Sequence, residues 1–423
     1  MNQNLNPVLI VFLIVVTLVP VEFSLRAGDI ILPWYRSVLL ISAFPIGFLL
    51  LSGRITFRAF DYVIIFHGLW HGLSQIIKRG VAEGVEPAGS YFIETTIAYF
   101  LARLFITNMA QIRQFFALFI ALMIIPIALG VVEALVIHSH YVHSWAQTIT
   151  GMQYNVQNDT RFGVFRAASV FQHPILFGLM CAVPIGLCYF TASNFFLKAL
   201  RAGVLALGTA SSISTAALLT VMIQFTIVAG ERVTTGIKNR LQKVLWSIAG
   251  LYVFLAVASD RGMIGMIAGG VALNPASGYW RIHQWNYSID DILRNPLIGI
   301  LNREWTRPYW LKSLDNHWLV LGFRGGLPTV LSLLLAMILI FRAVHALEAR
   351  NEQEKGIYLS WLATIFSMFL TGATVNYFGK LQPMMFLYLG MAASMSQFQA
   401  SAARPAVKLD EEKDDKKIKS VLG

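Results

Sequence analysis

Charge is scarce in this chain. Of 423 residues, 33 are Lys or Arg and 22 are Asp or Glu, so charged side chains make up 13% against 56% hydrophobic. With a mean hydropathy of +0.62, that leaves too little polar surface for a soluble domain of this size. Cysteine is nearly absent. Cys181 and Cys188 lie seven apart in one apolar stretch, which suits two packed thiols better than a disulfide or a metal pair. No CxxC, HExxH, P-loop or helix-opening GxGxxG occurs, so no metal or nucleotide site is signalled and no cofactor is expected. The first apolar stretch has neither a basic leader nor a small-residue cleavage site, and is expected to be retained as a span.

Apolar runs take up most of the remainder: Pro7–Leu25, Ser37–Leu51, Phe60–Ile77, Tyr91–Thr107, Phe115–His138, Ser169–Ala192, Ala199–Ser211, Ile213–Ala229, Val244–Ser259, Trp318–Ala343, Ile357–Leu370 and Met384–Met395. A span takes about 20 residues, and inside lipid the backbone must satisfy its own hydrogen bonds. The expected fold is therefore all-α, a polytopic transmembrane bundle of about twelve helices. It would occupy residues 1–403, followed by a charged, disordered tail over 404–423.

Cations set the orientation. With the N-terminus in the cytoplasm, the short inside loops hold Arg54, Arg58, Arg103, Arg113, Lys198, Arg201, Arg232, Lys238, Arg240, Lys243, Arg342, Arg350 and Lys355. The short outside loops hold Arg26, Arg36, Lys78, Arg79 and Lys380, which fits the positive-inside rule. Both termini then face the cytoplasm, and two long connections, 139–168 and 260–316, face outward. The net charge of +11 is largely this orientation signal. It is spread over loops, which argues against nucleic acid and for anionic headgroups or phosphates as partners.

The second long connection concentrates arginines, aromatics and potential bases. Ile282, Trp285, Ile289, Ile292 and Leu293 recur at helical spacing, with Arg281, Gln284, Ser288 and Asp291 on another side, until Asn295-Pro296 ends the pattern. Such an amphipathic segment suits the membrane interface, with tryptophans at headgroup depth. Cations then alternate with rings through Arg303, Trp305, Arg307, Tyr309 and Trp310. A guanidinium fork suits diphosphate, and a ring such as Trp305 suits a sugar face; a plain aromatic belt with arginines on lipid phosphates is the alternative. In the first connection, no carboxylate or Cys completes an obvious site with His138, His140 and His143, so they read as solvated loop histidines. Arg166 sits at the mouth of a span, where it would be an interfacial anchor or a ligand for substrate charge.

Taken in order, Arg281…Trp285, Pro296-Leu297-Ile298-Gly299, Asp315-Asn316-His317-Trp318-Leu319 and Gly325-Gly326-Leu327-Pro328 resemble the O-antigen ligase and polysaccharide polymerase superfamily. Upstream, Arg166 followed by Phe171-Gln172-His173-Pro174 resembles that family's Arg…(His/Asn)-Pro element. Ser211-Ser212-Ile213-Ser214 is similar to its Ser-rich helix entry without the Arg often found there, and Ser259-Asp260-Arg261 to a further recurring Arg. The likeness runs in detail over residues 160–335. Two departures stand out. Asp315 takes the place of the family's His, with His317 two residues on, and Leu301 replaces a frequent Gly.

The resemblance implies a bacterial inner-membrane glycosyltransferase whose donor is an undecaprenyl-diphosphate-linked oligosaccharide, working without metal. The acceptor would be a growing glycan or a lipid, and other polysaccharide assembly and export proteins could be partners. With no divalent cation, guanidinium groups must stabilise the departing diphosphate. Arg166 and Arg281 are the first candidates, with Arg261, Arg303 and Arg307 behind them, and Trp285, Trp305 and Asn316 expected to contact substrate. Either Asp315 or His317 would be the base. The Asp-Asn-x-Trp-Leu form resembles exopolysaccharide polymerases more than ligases that attach O-antigen to lipid A-core. A lipid-linked glycan transporter or flippase is the alternative of another class, but it would carry charges in mid-membrane cavities or interrupted helices, whereas here the polar groups gather in one loop.

Overall fold

A computed structural model describes residues 4–153, 158–234 and 275–402, apart from Asp29 and Arg54, together with isolated positions between 236 and 250. Arg261, nearly all of the apolar run 244–259 and the tail 404–423 lie outside the described residues.

The chain is mostly helical. In order come α1 (Pro7–Leu18), a hairpin of β1 (Ser24–Ala27) and β2 (Ile30–Pro33), α2 (Trp34–Leu51), α3 (Ala59–Phe92), α4 (Ala98–Phe105) and α5 (Met109–Val132). Next come α6 (Tyr141–Thr150), a short hairpin of β3 (Thr160–Arg161) and β4 (Val164–Phe165), α7 (Pro174–Ala182), α8 (Ile185–Phe190), α9 (Phe195–Ser211) and α10 (Thr215–Val233). After the undescribed stretch come α11 (Pro275–Asn286), α12 (Ile289–Arg294), α13 (His317–His345), α14 (Glu352–Gly372) and α15 (Leu381–Ala402). Each expected apolar run that is described contains helix, though Pro7–Leu25 is helical only to Leu18 and ends in β1, and Ser169–Ala192 becomes helical at Pro174 and breaks at Val183-Pro184. Among the described residues, four helical stretches are long and apolar enough to cross a membrane: Trp34–Leu51, Met109–Ile137, Thr215–Val233 and His317–His345. The shorter Pro7–Leu18 and Pro174–Phe190 are also apolar.

Two expectations shift. The segment after Lys78-Arg79 reads as a loop but is helix. Gly80, at φ 78°, reverses α3, and the chain resumes helix immediately, so a β-carbon at Gly84 would strike Ile76 and one at Gly72 would touch Ala88. Among the arginines expected in inside loops, Arg103 and Arg201 are instead buried. Arg103 donates Nε to Asp61 Oδ1 at 3.1 Å, and Tyr99 donates its hydroxyl to the same oxygen at 2.6 Å. Arg201 reaches the Cys188 carbonyl and the Thr191 hydroxyl. A charge without water has to be paired in this way.

One large apolar core runs through α1, α4, α5, α7, α13, α14 and α15, and includes Cys181 and Cys188, both free. A second, smaller cluster, Ile292, Ile300, Trp305, Leu311, Leu319 and Phe323 with Trp280, Trp285 and Trp310 against it, gives the 275–316 connection a core of its own. α3 packs along α13 and α4 along α15.

Candidate functional site

The connection is seated on α13 by two glycine-bearing elements that the sequence places apart. Gly326 (φ 70°, ψ −174°) kinks α13, and Pro328 supplies no N–H. Carbonyls freed at the kink are taken up by side chains of α3. Trp70 Nε1 donates to Gly325 O at 3.1 Å, Gln75 Nε2 to Arg324 O, and Lys78 Nζ to the Phe323 and Arg324 oxygens at 3.0 and 2.8 Å. Against this kink lies Pro296-Leu297-Ile298-Gly299. Leu327 N donates to Pro296 O at 2.7 Å and Ile300 N to Phe323 O at 2.8 Å. A β-carbon on Gly326 would run into the Pro296 and Leu297 backbone, and one on Gly299 into the Gly322 and Phe323 carbonyls. These motifs clamp the loop to the helix.

The amphipathic segment is oriented by its polar stripe. It breaks at Tyr287-Ser288 into α11 and α12, and Gln284, Ser288 and Asp291 are buried while Ile289 and Leu293 are exposed. The polar side faces inward because it braces the loop. Asp315 N donates to Gln284 Oε1 at 3.1 Å, Gln284 Nε2 to Ser313 O at 3.1 Å, and Thr306 N to Asp291 Oδ2 at 2.6 Å. Of the apolar residues, Ile292 and Trp285 belong to the small core, and Ile289 and Leu293 are the ones a lipid surface would meet.

Three arginines converge at the same end of the molecule. Arg166, buried just after β4, donates Nε to Ser212 O at 3.1 Å and Nη1 to Asp159 Oδ2 at 2.6 Å, while its Nη2 is buried with no partner. Arg161 donates Nη1 to Ile213 O at 3.3 Å. The Ser-rich turn 211–214 thus supplies carbonyls that aim both guanidinium groups. Arg281, on α11, donates Nε to Thr374 O at 2.6 Å. Burial first, then the neighbouring positive charges of Arg166 and Arg281, lower the Arg161 pKa, with Asp159 opposing them. Arg166 and Arg281 therefore both lie within electrostatic reach of Arg161. Burial also lowers the Arg281 pKa, with Asp315 opposing it. Arginine stays charged through shifts of this kind, so the cluster is a fixed positive site.

Asp315, Asn316 and His317 diverge in role. Asp315 is half-buried, at 3.5 Å from the Ser313 hydroxyl, with Arg281 in electrostatic range. Asn316 caps α13, its Oδ1 accepting from Leu319 N at 3.0 Å, and donates Nδ2 to Ala373 O at 2.7 Å. His317 is buried, with Nδ1 at 3.2 Å from Asn376 Oδ1 and at 3.4 Å from the Tyr377 N–H. One ring proton satisfies only one of these contacts. The tautomer decides between them: with the proton on Nδ1 the ring donates to Asn376 and the Nε2 lone pair is open.

The aromatics and outlying cations pack the connection. Trp305 is buried and donates Nε1 to Tyr287 O at 2.7 Å, with the Arg307 guanidinium over its ring at 4.4 Å. Trp285 packs on the same small core, its indole N–H buried and without a partner. Arg307 also donates to Lys312 O at 2.9 Å. Arg303 is exposed on the turn Asn302–Glu304. In the first connection His140 lies 3.4 Å from Glu133, and His143 lies between Glu22 at 2.6 Å and the Phe171 carbonyl. Among the described residues no three His, Cys, Asp or Glu side chains group as a metal set.

Sequence reasoning passed over Arg161, the stretch Ala373–Asn376 and Arg324. Arg161 and the backbone of Ala373–Asn376 complete the cationic cluster, and their signal was only a polar interval between two apolar runs. Arg324 lines a cavity of about 290 Å³ together with Trp305, Arg307 and Asn376; its signal was a lone cation inside an apolar helix, a position that is costly unless used. No family model and no curated protein matches the chain.

Proposed function

We propose that the chain is a glycosyltransferase of the bacterial inner membrane, crossing it about twelve times with both termini in the cytoplasm. It moves glycan from undecaprenyl diphosphate to a sugar hydroxyl on the outer face, polymerising repeat units of an exopolysaccharide or O-antigen. In the transfer, the bond from the anomeric carbon to the diphosphate oxygen breaks with its electron pair leaving on the diphosphate. A bond forms from that carbon to the acceptor oxygen, whose proton passes to His317 Nε2. Arg161, Arg166 and Arg281 hold the charge that develops on the leaving group. Asp315 steadies Arg281, and Asn376 holds the His317 ring in the tautomer that accepts.

The observation that carries this reading is the buried, unpartnered Nη2 of Arg166 in an electrostatic neighbourhood shared with Arg161 and Arg281. A buried donor without an acceptor is costly, and a diphosphate supplies the acceptor. The exposed Ile289 and Leu293 of α12 suit a donor whose lipid stays in the bilayer. The test is reconstitution in liposomes with lipid-linked oligosaccharide and EDTA. A ladder of lengths supports polymerisation and attachment in one step to a lipid core supports ligation, while no transfer at all, or transfer that stops with EDTA, refutes the reading.

A further inference from the structure

A second cavity lies beside this site and none of its lining belongs to the cationic cluster. It holds about 630 Å³ and is walled by the β1–β2 hairpin, the reversal in α3, the turn 300–302, Arg324 and the segment 378–382. Its chemistry is mixed. Arg26, Arg36, Arg79 and Arg324 face Glu22, Glu86 and Glu94, with the rings of Tyr35, Tyr91 and Phe378 between them. Arg36 is already paired with Glu94 at 2.6 Å and Arg79 donates to Gln75 at 3.0 Å.

Three side chains lining this cavity, Glu22 and His71 buried and Gln172 half-buried, hold buried polar atoms with no partner: Glu22 Oε2, both ring nitrogens of His71, and Gln172 Oε1. His71 stacks on Tyr91, ring centroids 3.5 Å apart. Two of the three orphans can only accept. An inorganic anion would leave them unfilled and would meet three carboxylates, and a lipid chain would satisfy none. A polyhydroxylated ligand both donates and accepts, and the volume lies in the range of about 300–1,000 Å³ typical of small-molecule sites. Arg324 is shared with the smaller cavity that contains Asn376, the residue that holds His317.

We propose that this cavity is the acceptor subsite, taking the sugar end of the glycan to be extended, with hydroxyls donating to Glu22, His71 and Gln172, and Arg79 and Arg324 donating to its oxygens. The proposal rests on the transferase reading above and adds where the acceptor waits: in a cavity that shares Arg324 with the one containing Asn376, with the diphosphate held elsewhere.

The full-length protein in detergent is tested by ligand-observed NMR with two probes. One is a pool of short oligosaccharides hydrolysed from the surface polysaccharide of the producing strain, and the other is inorganic pyrophosphate. Saccharide contact is expected in the wild type and in Arg166→Ala. It should weaken by about tenfold in His71→Phe and in Gln172→Met, the effect of losing one or two hydrogen bonds to buried groups. Pyrophosphate should follow the opposite pattern. No saccharide contact with the wild type, contact unchanged in both cavity variants, or displacement of saccharide by pyrophosphate overturns the proposal. Saccharide lost in the cavity variants while pyrophosphate binds nowhere supports the cavity and sinks the diphosphate cluster instead. His71→Phe keeps the ring on Tyr91 and removes two orphaned nitrogens, so its thermal midpoint should not fall; a fall would mean that those nitrogens have partners, and would overturn the proposal as well.

Discussion

Replacing Asn376 by leucine tests the tautomer at His317 with little change in volume. In the proposed tautomer Nδ1–H donates to Asn376 Oδ1 at 3.2 Å, and the competing Tyr377 N–H contact is longer, at 3.4 Å. Leucine removes the acceptor. The Tyr377 N–H then becomes the better partner, Nδ1 turns into an acceptor, and the proton moves to Nε2, where it blocks base function. A neutral hydrogen bond of this kind contributes about 1 kcal/mol, so the competent tautomer loses about fivefold in population at 1.36 kcal/mol per tenfold. Loosened ring orientation brings the expected loss in kcat to between about tenfold and a hundredfold. His317→Ala removes the base itself and should cost about 10²–10⁴. The assay is single-turnover transfer from lipid-linked oligosaccharide at saturating donor, with KM followed separately. Asn376→Leu should lower kcat and leave the donor KM alone. A wild-type rate in Asn376→Leu, or Asp315→Asn falling as far as His317→Ala, would refute the assignment of His317 as the oriented base.

Other substitutions probe the frame. Gly326→Ala forces a side chain into a left-handed position against the Pro296 and Leu297 backbone; the strain alone is about 1–3 kcal/mol, so the thermal midpoint should drop and the 287–316 connection should become sensitive to protease before the helices do. Arg103→Met leaves Asp61 buried and uncompensated, a loss of about 3–5 kcal/mol that should appear as reduced thermal stability in detergent; Asp61→Asn paired with Arg103→Met should recover part of it. Arg281→Lys keeps the positive charge but not the fork, and activity should fall by at least about tenfold with no change in protein level on immunoblots of membranes. Because arginine stays charged across the working range, the acid limb of the rate profile should be the same in Arg281→Lys as in the wild type.

Helix positions could be read in the sequence because lipid-compatible helices advertise themselves as long apolar runs, and those described are where the runs lie. The reversal at Gly80 was not legible. Lys78, Arg79, Gly84 and Pro87 look like loop residues, and the tight return depends on glycine contacts that have no periodicity. The loop motifs were legible as a set, but their division of labour was not. Gly299 and Gly326 meet only in three dimensions, and Asn316 gives its side chain to the Leu319 N–H and the Ala373 carbonyl. The polar stripe of Gln284, Ser288 and Asp291 was visible, while the direction it faces was set by backbone donors and acceptors 15 to 31 residues further along the chain. The cations counted only as exceptions to the orientation rule prove to be placed: Arg26, Arg36 and Arg79 line the large cavity, Lys78 ties the carbonyls at the α13 kink, and Lys380 donates to Val170 O at 3.0 Å.

The affinity of the solubilised protein for undecaprenyl diphosphate without glycan tests the guanidinium grip most directly. Arg161→Ala, Arg166→Ala and Arg281→Ala should each weaken binding by about tenfold or more, the cost of one charge-assisted hydrogen bond or greater. Lys355→Ala, which removes an exposed cation paired with Glu352, should leave it unchanged. Equal affinity in all four variants would contradict a diphosphate held by these arginines.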